Sequence, residues 1–196
     1  VEGLMNNANW PFDPLPPLAF DVVLADPPWS FATYSAAGKG KSAEAHYATM
    51  TLDAIKVLPV GQLARGDAWL WLWATHPMID VAIDVMRAWG FRFVTSGVWS
   101  KRSENGLAFG TGYVLRCASE PFLIGAMGKP RVASRSVRTI IEAPRREHSR
   151  KPDESYREAE RLFGPGRRAD LFARESRPGW EPWGHEVGKF NTGAAA

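Results

Sequence analysis

The chain has 196 residues, 45% of them apolar and 23% charged, which is enough for one packed domain and excludes a disordered, collagen-like or supercharged protein. Lys and Arg number 24 against 21 Asp and Glu, so a formal charge of +3 diagnoses neither a nucleic-acid nor a membrane partner by itself. A lone Cys117 excludes an intramolecular disulfide and a cysteine metal cage, and no run approaches ~18 apolar residues, so the expectation is a cytoplasmic protein with no membrane span.

Residues 1–19 are expected to be an extended lead-in, because Pro11, Pro14, Pro16 and Pro17 fix φ and remove backbone donors. Phe20 to Ala25 is a short apolar run that stops at two prolines, the pattern of a buried parallel strand, and Asp26 stands at its end. Gly, Ser, Ala and Lys between Phe31 and Ala45 predict a long loop. Thr51 caps a short helix through Ile55, and Ala68 to Ala74, with three tryptophans, is a second buried strand. Pro77 opens a helix with Ile79, Ile83 and Met86 on one face, closed near Gly90. Phe91 to Trp99, Pro121 to Ala126 and Val137 to Glu142 read as strands, separated by a Gly-rich loop at Phe109 to Tyr113 and a basic one at Lys129 to Arg135. Asp153 to Phe163 is a helix between Pro152 and Gly164, and Ala169 to Ala173 is the last strand. This alternation predicts one α/β domain over residues 20–190 with an open, mostly parallel sheet and a tail at 191–196. In such sheets ligands sit beyond the carboxyl ends of the strands, where Asp26 is.

Asp26-Pro27-Pro28-Trp29 carries the sharpest chemical signal. An exocyclic amine on a nucleobase shares its lone pair with the ring and becomes nucleophilic only when acceptors bind its N–H groups. Asp26 offers a carboxylate and Pro27 a carbonyl, neither proline brings a competing N–H, and Trp29 is expected to give a flat face for the base. The competing reading is a Pro-rich turn with a core tryptophan.

Phe20 to Trp29, His46-Tyr47-Ala48-Thr49-Met50, Trp71-Leu72-Trp73-Ala74-Thr75, Trp99-Ser100-Lys101, Glu120-Pro121-Phe122-Leu123-Ile124-Gly125 and Lys151-Pro152-Asp153-Glu154 follow in the order of the MT-A-seventy family, which the chain resembles from about Asp21 to Phe190. The resemblance implies a single-domain Rossmann-like methyltransferase fold of permuted order, with the catalytic strand early and the cofactor strand late. It implies S-adenosylmethionine as cofactor and adenine N6 in DNA or RNA as acceptor, with DNA slightly favoured. By the same resemblance Asp26, Pro27, Pro28 and Trp29 are catalytic, and Asp26, Asp170, Leu171, Phe172, Arg174, Arg177, His185 and Glu186 hold the cofactor. Substrate contacts are expected from Tyr47, Lys101, Arg102, Tyr113, Arg116 and Lys151 in two loops and a basic surface that also includes Arg131, Arg135, Arg138, Arg145, Arg146, Arg150, Arg167 and Arg168. The partners expected are a nucleic acid and a second copy or related subunit.

Other motifs fail on spacing. Gly38-Lys39-Gly40-Lys41-Ser42 has Ser35 where a phosphate loop needs glycine, and Gly110-Thr111-Gly112 has Leu115 where a dinucleotide fingerprint needs one. His46, His76, His148 and His185 lack zinc spacing, so no metal is expected. Two further function classes stay open on the residues alone: methyl transfer to cytosine N4 or another planar amine, and a catalytically silent nucleic-acid-binding subunit.

Overall fold

The computed structural model describes residues 10–30, 49–112, 114–147 and 150–191. Eight strands form one sheet: β1 (Phe20–Ala25), β2 (Ala64–Trp73), β3 (Arg92–Ser103), β4 (Gly106–Leu107), β5 (Ser119–Met127), β6 (Ile140–Pro144), β7 (Arg168–Leu171) and β8 (Glu181–Trp183). The spatial order is β4-β3-β5-β2-β1-β7-β8, with β6 also paired to β3. Pairings of β1 with β2 and β7, of β7 with β8, and of β3 with β6 are parallel. Strand β5 runs antiparallel between β2 and β3, and the two-residue β4 runs antiparallel to β3. All the other strands therefore share one direction, and their carboxyl ends lie along one edge of the sheet. This is the mostly parallel, Rossmann-like α/β arrangement expected.

Helices cover both faces. Helix α1 (Leu52–Lys56) and α2 (Ile79–Ala88) pack on one, α3 (Asp153–Phe163) on the other. Residues alternate across the sheet, so Val23, Ala25, Leu70 and Leu72 face α2 while Val22, Leu24, Trp69, Trp71 and Trp73 face α3. Burial on both faces explains why β1 and β2 read as continuous apolar runs. The tryptophans interlock with aromatic partners: Trp71 stacks on Phe122 with centroids 4.0 Å apart, and Trp69 on Phe163 at 5.4 Å.

Helix α3 begins and ends as predicted. Pro152 precedes it, and Gly164 ends it at φ +76°, a left-handed conformation that favours glycine. The Thr51 hydroxyl caps α1 by accepting from the Ala54 N–H at 3.2 Å. The structure departs from expectation in several places. Residues 11–15 form turns rather than an extended segment, because Phe12 and Leu15 fold into the core. The buried face of α2 centres on Ala82, Val85 and Met86, with Ile79 and Ile83 only partly covered. Strand β6 lies three residues later than predicted at its start, where it can pair with β3. Short β4 and β8 were absent from the sequence reading. The expected loop at Phe31 to Ala45 lies outside the described residues.

Candidate active site

The Asp26 segment is fixed by its own backbone. The Asp26 N–H donates to the Leu171 carbonyl at 3.3 Å, so the chain leaves the sheet beside the end of β7. The Trp29 N–H then turns back to the Pro27 carbonyl at 2.8 Å, and the Met50 N–H donates to the Pro28 carbonyl at 3.0 Å. Trp29 itself is 4% exposed, packs in the core, and donates its indole N–H to the Trp73 carbonyl at 3.0 Å. Its face is covered, which corrects the expectation of a stacking platform. The side chain is a strut that ties the loop to the end of β2.

An alternating chain of charges starts at Asp26. Lys151 Nζ lies 2.8 Å from Asp26 Oδ2 and 2.8 Å from Glu120 Oε1, and Lys101 Nζ lies 2.8 Å from Glu120 Oε2. Four elements supply it: the ends of β1 and β3, the start of β5 and the residue two before α3. Because β5 is antiparallel, its first residues reach the edge where the parallel strands end. Burial alone would raise the Glu120 carboxyl, but the ammoniums of Lys151 and Lys101 hold it down at about 2. Burial alone would lower the Lys151 ammonium, but Asp26 and Glu120 hold it above its usual value and keep it charged. Lys151 is 8% exposed and sits 5.2 Å from the Trp73 ring centroid. It is a buried partner of the Asp26 carboxylate, which corrects its expected place on a phosphate-facing surface.

Beside this chain lies a small cleft lined by Asp26, Arg150, Lys151, Tyr156, Asp170, Phe172, Ala173, Arg174 and Glu175. The Tyr156 hydroxyl on α3 donates to Asp170 Oδ2 at 3.0 Å. Burial pushes the Asp170 carboxyl up to about 7, against the Tyr156 hydrogen bond and the Arg177 charge, with Asp26 and Glu175 adding to the rise. Burial, followed by the Asp170 charge, also raises the Tyr156 hydroxyl well above its usual value. Phe172 follows β7 at φ +62°, a conformation uncommon for a bulky residue, and strained residues of this kind gather at functional sites. Glu175 is clasped by Arg150 at 2.8 Å and by Arg177, whose guanidinium lies 4.0 Å from the Tyr156 ring centroid.

The structure thus brings Asp26, Lys151, Asp170, Phe172 and Arg174 onto one cleft. Arg174 Nε reaches Glu186 at 3.3 Å, which keeps Glu186 close by, whereas His185 is exposed beside Trp183. Leu171 is fully buried and offers the cleft no side chain, and Arg177 stands behind Tyr156 in ion pairs with Asp153 and Glu175. Both are corrections to the expected cofactor set. Lys101 belongs to the charge chain, Arg102 pairs with Glu142 at 2.6 Å, and Arg116 is exposed. Tyr47 and Tyr113 lie outside the described residues. Arg131, Arg135 and Arg138 join the end of β5 to the start of β6, and Arg167 and Arg168 open β7, so these arginines lie at the opposite edge of the sheet. The expected single basic surface is divided between two edges. Sequence reading gave no role to Glu120, Tyr156 or Glu175, and Arg150, expected on the basic surface, is instead largely buried against Glu175. A charged residue directly before the apolar run of β5 was the available signal for Glu120.

A family model described as MT-A70 matches residues 20–186. The chain is 32% identical over 173 residues to an N(6)-adenosine-methyltransferase MT-A70-like protein of Arabidopsis thaliana, covering 86% of this chain and 24% of that protein. It is 30% identical over 195 residues to the type II methyltransferase M.MunI of Mycoplasma, covering 90% and 81% respectively. It is 30% identical over 174 residues to the human N(6)-adenosine-methyltransferase catalytic subunit METTL3, covering 86% and 28%. The chain therefore spans about a quarter of the length of the plant and human relatives and four fifths of the Mycoplasma one.

Proposed function

The chain belongs to the MT-A70 family, and from that premise we propose that it transfers a methyl group from S-adenosylmethionine to the N6 amine of adenine in a nucleic acid. The match over most of the Mycoplasma type II methyltransferase leans the reading towards DNA. One observation carries the proposal: the Asp26 carboxylate stands at the end of β1, with Oδ2 held by buried Lys151, on the cleft that the residues following β7 line.

The groups on that cleft suit a nucleoside that bears an amino acid. Carboxyl oxygens of Asp170 and Glu175 can accept from sugar hydroxyls, Arg174 can meet a carboxylate, and Phe172 offers an aromatic surface. When bound, S-adenosylmethionine supplies an electrophilic methyl on a sulfonium. The protein's own part is to make the amine nucleophilic and hold it in line. Lys151 holds Oδ2 of Asp26, and Oδ1 is the acceptor for one N–H of the amine in this reading. The Pro27 carbonyl spends one lone pair on the Trp29 N–H and keeps the other for the second N–H. Positive charge that develops on the amine nitrogen is stabilised by the fixed Asp26 carboxylate, and the departing proton leaves past the same oxygen.

The test is to incubate the purified chain with labelled S-adenosylmethionine and single- and double-stranded DNA and RNA, then digest to nucleosides for mass spectrometry. N6-methyladenosine or its deoxy form is expected from the wild type and none from Asp26→Ala with an unchanged fold by circular dichroism. Methylated cytosine in place of adenine, or an active Asp26→Ala protein, overturns the reading.

A further inference from the structure

We infer that Phe109 is a stacking platform for an unpaired base next to the target, so that the substrate is held as a single strand across the β3–β5 connection; this deepens the proposed function and rests on it. Phe109 is 79% exposed, yet the backbone on either side of it is fixed. The Ala108 N–H donates to the Lys101 carbonyl at 2.7 Å, and the Gly110 N–H donates to the Cys117 carbonyl at 2.9 Å. Gly110 allows that approach, because a Cβ there would stand 2.8 Å from the Cys117 oxygen. An aromatic ring is thus presented to solvent from a pinned strand pair. The guanidinium of Arg116, itself an exposed residue, lies 5.8 Å from the ring centroid.

The position is as telling as the exposure. Lys101, whose carbonyl anchors Ala108, is the outer end of the charge chain through Glu120 and Lys151 to Asp26, so Phe109 stands on the rim of the same site. Arg102 and Arg145 end β3 and follow β6 at this edge, joined by the Arg145 N–H to the Arg102 carbonyl at 3.1 Å. The acids nearby are Glu104 in the β3–β4 turn and Glu142, which already pairs with Arg102. Among the described residues Arg116 and Arg145 form no ion pair with a carboxylate, which leaves both guanidiniums for phosphates. An exposed ring on an edge that also carries Arg116 and Arg145 matches single-strand recognition, in which stacking tolerates any base and cations follow the backbone. A base still stacked in a duplex cannot lie on the ring.

The experiment measures binding of short fluorescein-labelled single-stranded DNA and RNA, and of the matching duplexes, to the full chain by anisotropy. Phe109→Ala is expected to weaken single-strand binding about 5- to 150-fold, the range that a lost base–aromatic stack gives, while Phe109→Trp restores it. Calorimetric binding of S-adenosylmethionine stays unchanged in both variants. Single-strand binding unchanged within about twofold in Phe109→Ala, or absent in the wild type, overturns the inference. So does a wild-type dimer that Phe109→Ala splits in sedimentation, since exposed Leu107, Val114 and Leu115 beside the ring would then belong to a contact between copies. Strong Phe109-dependent binding without methyl transfer would sink the proposed function and leave the platform standing. Methyl transfer indifferent to Phe109 would do the reverse.

Discussion

Lys151 is the cation between two carboxylates, and the energetics of that position are asymmetric. Deleting one partner of a buried charge cluster leaves the others uncompensated, a loss of about 3–5 kcal/mol. Lys151→Met is therefore expected to lose most activity and about that much stability near neutral pH, read as a lower urea midpoint. The sign with pH follows from Glu120, whose folded value is held at about 2 against 4.5: its stabilising contribution is present above the unfolded value and lost as pH falls through the folded one. The deficit of the variant should accordingly shrink as pH falls from about 4.5 towards about 2, the window in which the contribution of Glu120 is lost. Asp170 behaves in the opposite sense. With its folded value raised to about 7 from 3.8, the native state holds a proton the unfolded chain has released, so this residue costs stability as pH rises between those values. Asp170→Asn keeps an acceptor for the Tyr156 hydroxyl and should melt higher than wild type at about pH 8, with the difference closing near about pH 4. Asp26 was legible in the sequence because its neighbours are so specific. Glu120 was not, since only the direction of β5 decides which end of that strand meets Asp26.

Elements with strong local punctuation were readable, and those defined by pairing were not. Helix α3 lies between a proline and a glycine and was placed to the residue, as was β1, which stops at Pro27 and Pro28. Strand β6 has β3 as its partner, so its register depends on a distant segment and its predicted start missed by three residues. β8 is three residues long and contains Pro182, which gives no strand signal of its own. Pairing also makes particular positions intolerant. In β3 a Cβ at Gly97 would lie 2.3 Å from Phe122 Cζ and 2.6 Å from the Thr139 carbonyl. Phe122 cannot yield without leaving its stack on Trp71, so Gly97→Ala should cost about 1–3 kcal/mol, seen as a lower urea midpoint.

Across the whole molecule, the direction of each strand sorts the arginines between two edges of the sheet. Arg102, Arg116 and Arg145 lie at the edge that carries Asp26, and Arg135, Arg138 and Arg167 at the other, a division that a net charge of +3 conceals. Oligonucleotide affinity should fall with salt, with a log–log slope of about 0.7 per phosphate contacted. Arg145→Gln is expected to reduce that slope by about one contact, whereas Arg135→Gln leaves it as in wild type; equal effects of the two would contradict this division. Sequence alone could list the cations. It could not say which edge they reach, because the antiparallel β5 reverses the path of the chain between β3 and β6.

That reversal has one more consequence. Strands β3 and β5 are antiparallel neighbours whose connection, residues 104–118, opens on the edge that holds Asp26, while their paired stems stay anchored in the sheet. A hairpin of this kind can grow or shrink at its tip by pairs of residues with the stem register intact. Lys101 and Glu120 stand where the stem meets the connection and would keep their positions through changes confined to the tip. The chain therefore separates a part that must not vary in length from one that is free to, and grafting the tip from one homologue onto another is a route to new target preference on an unaltered chemical centre.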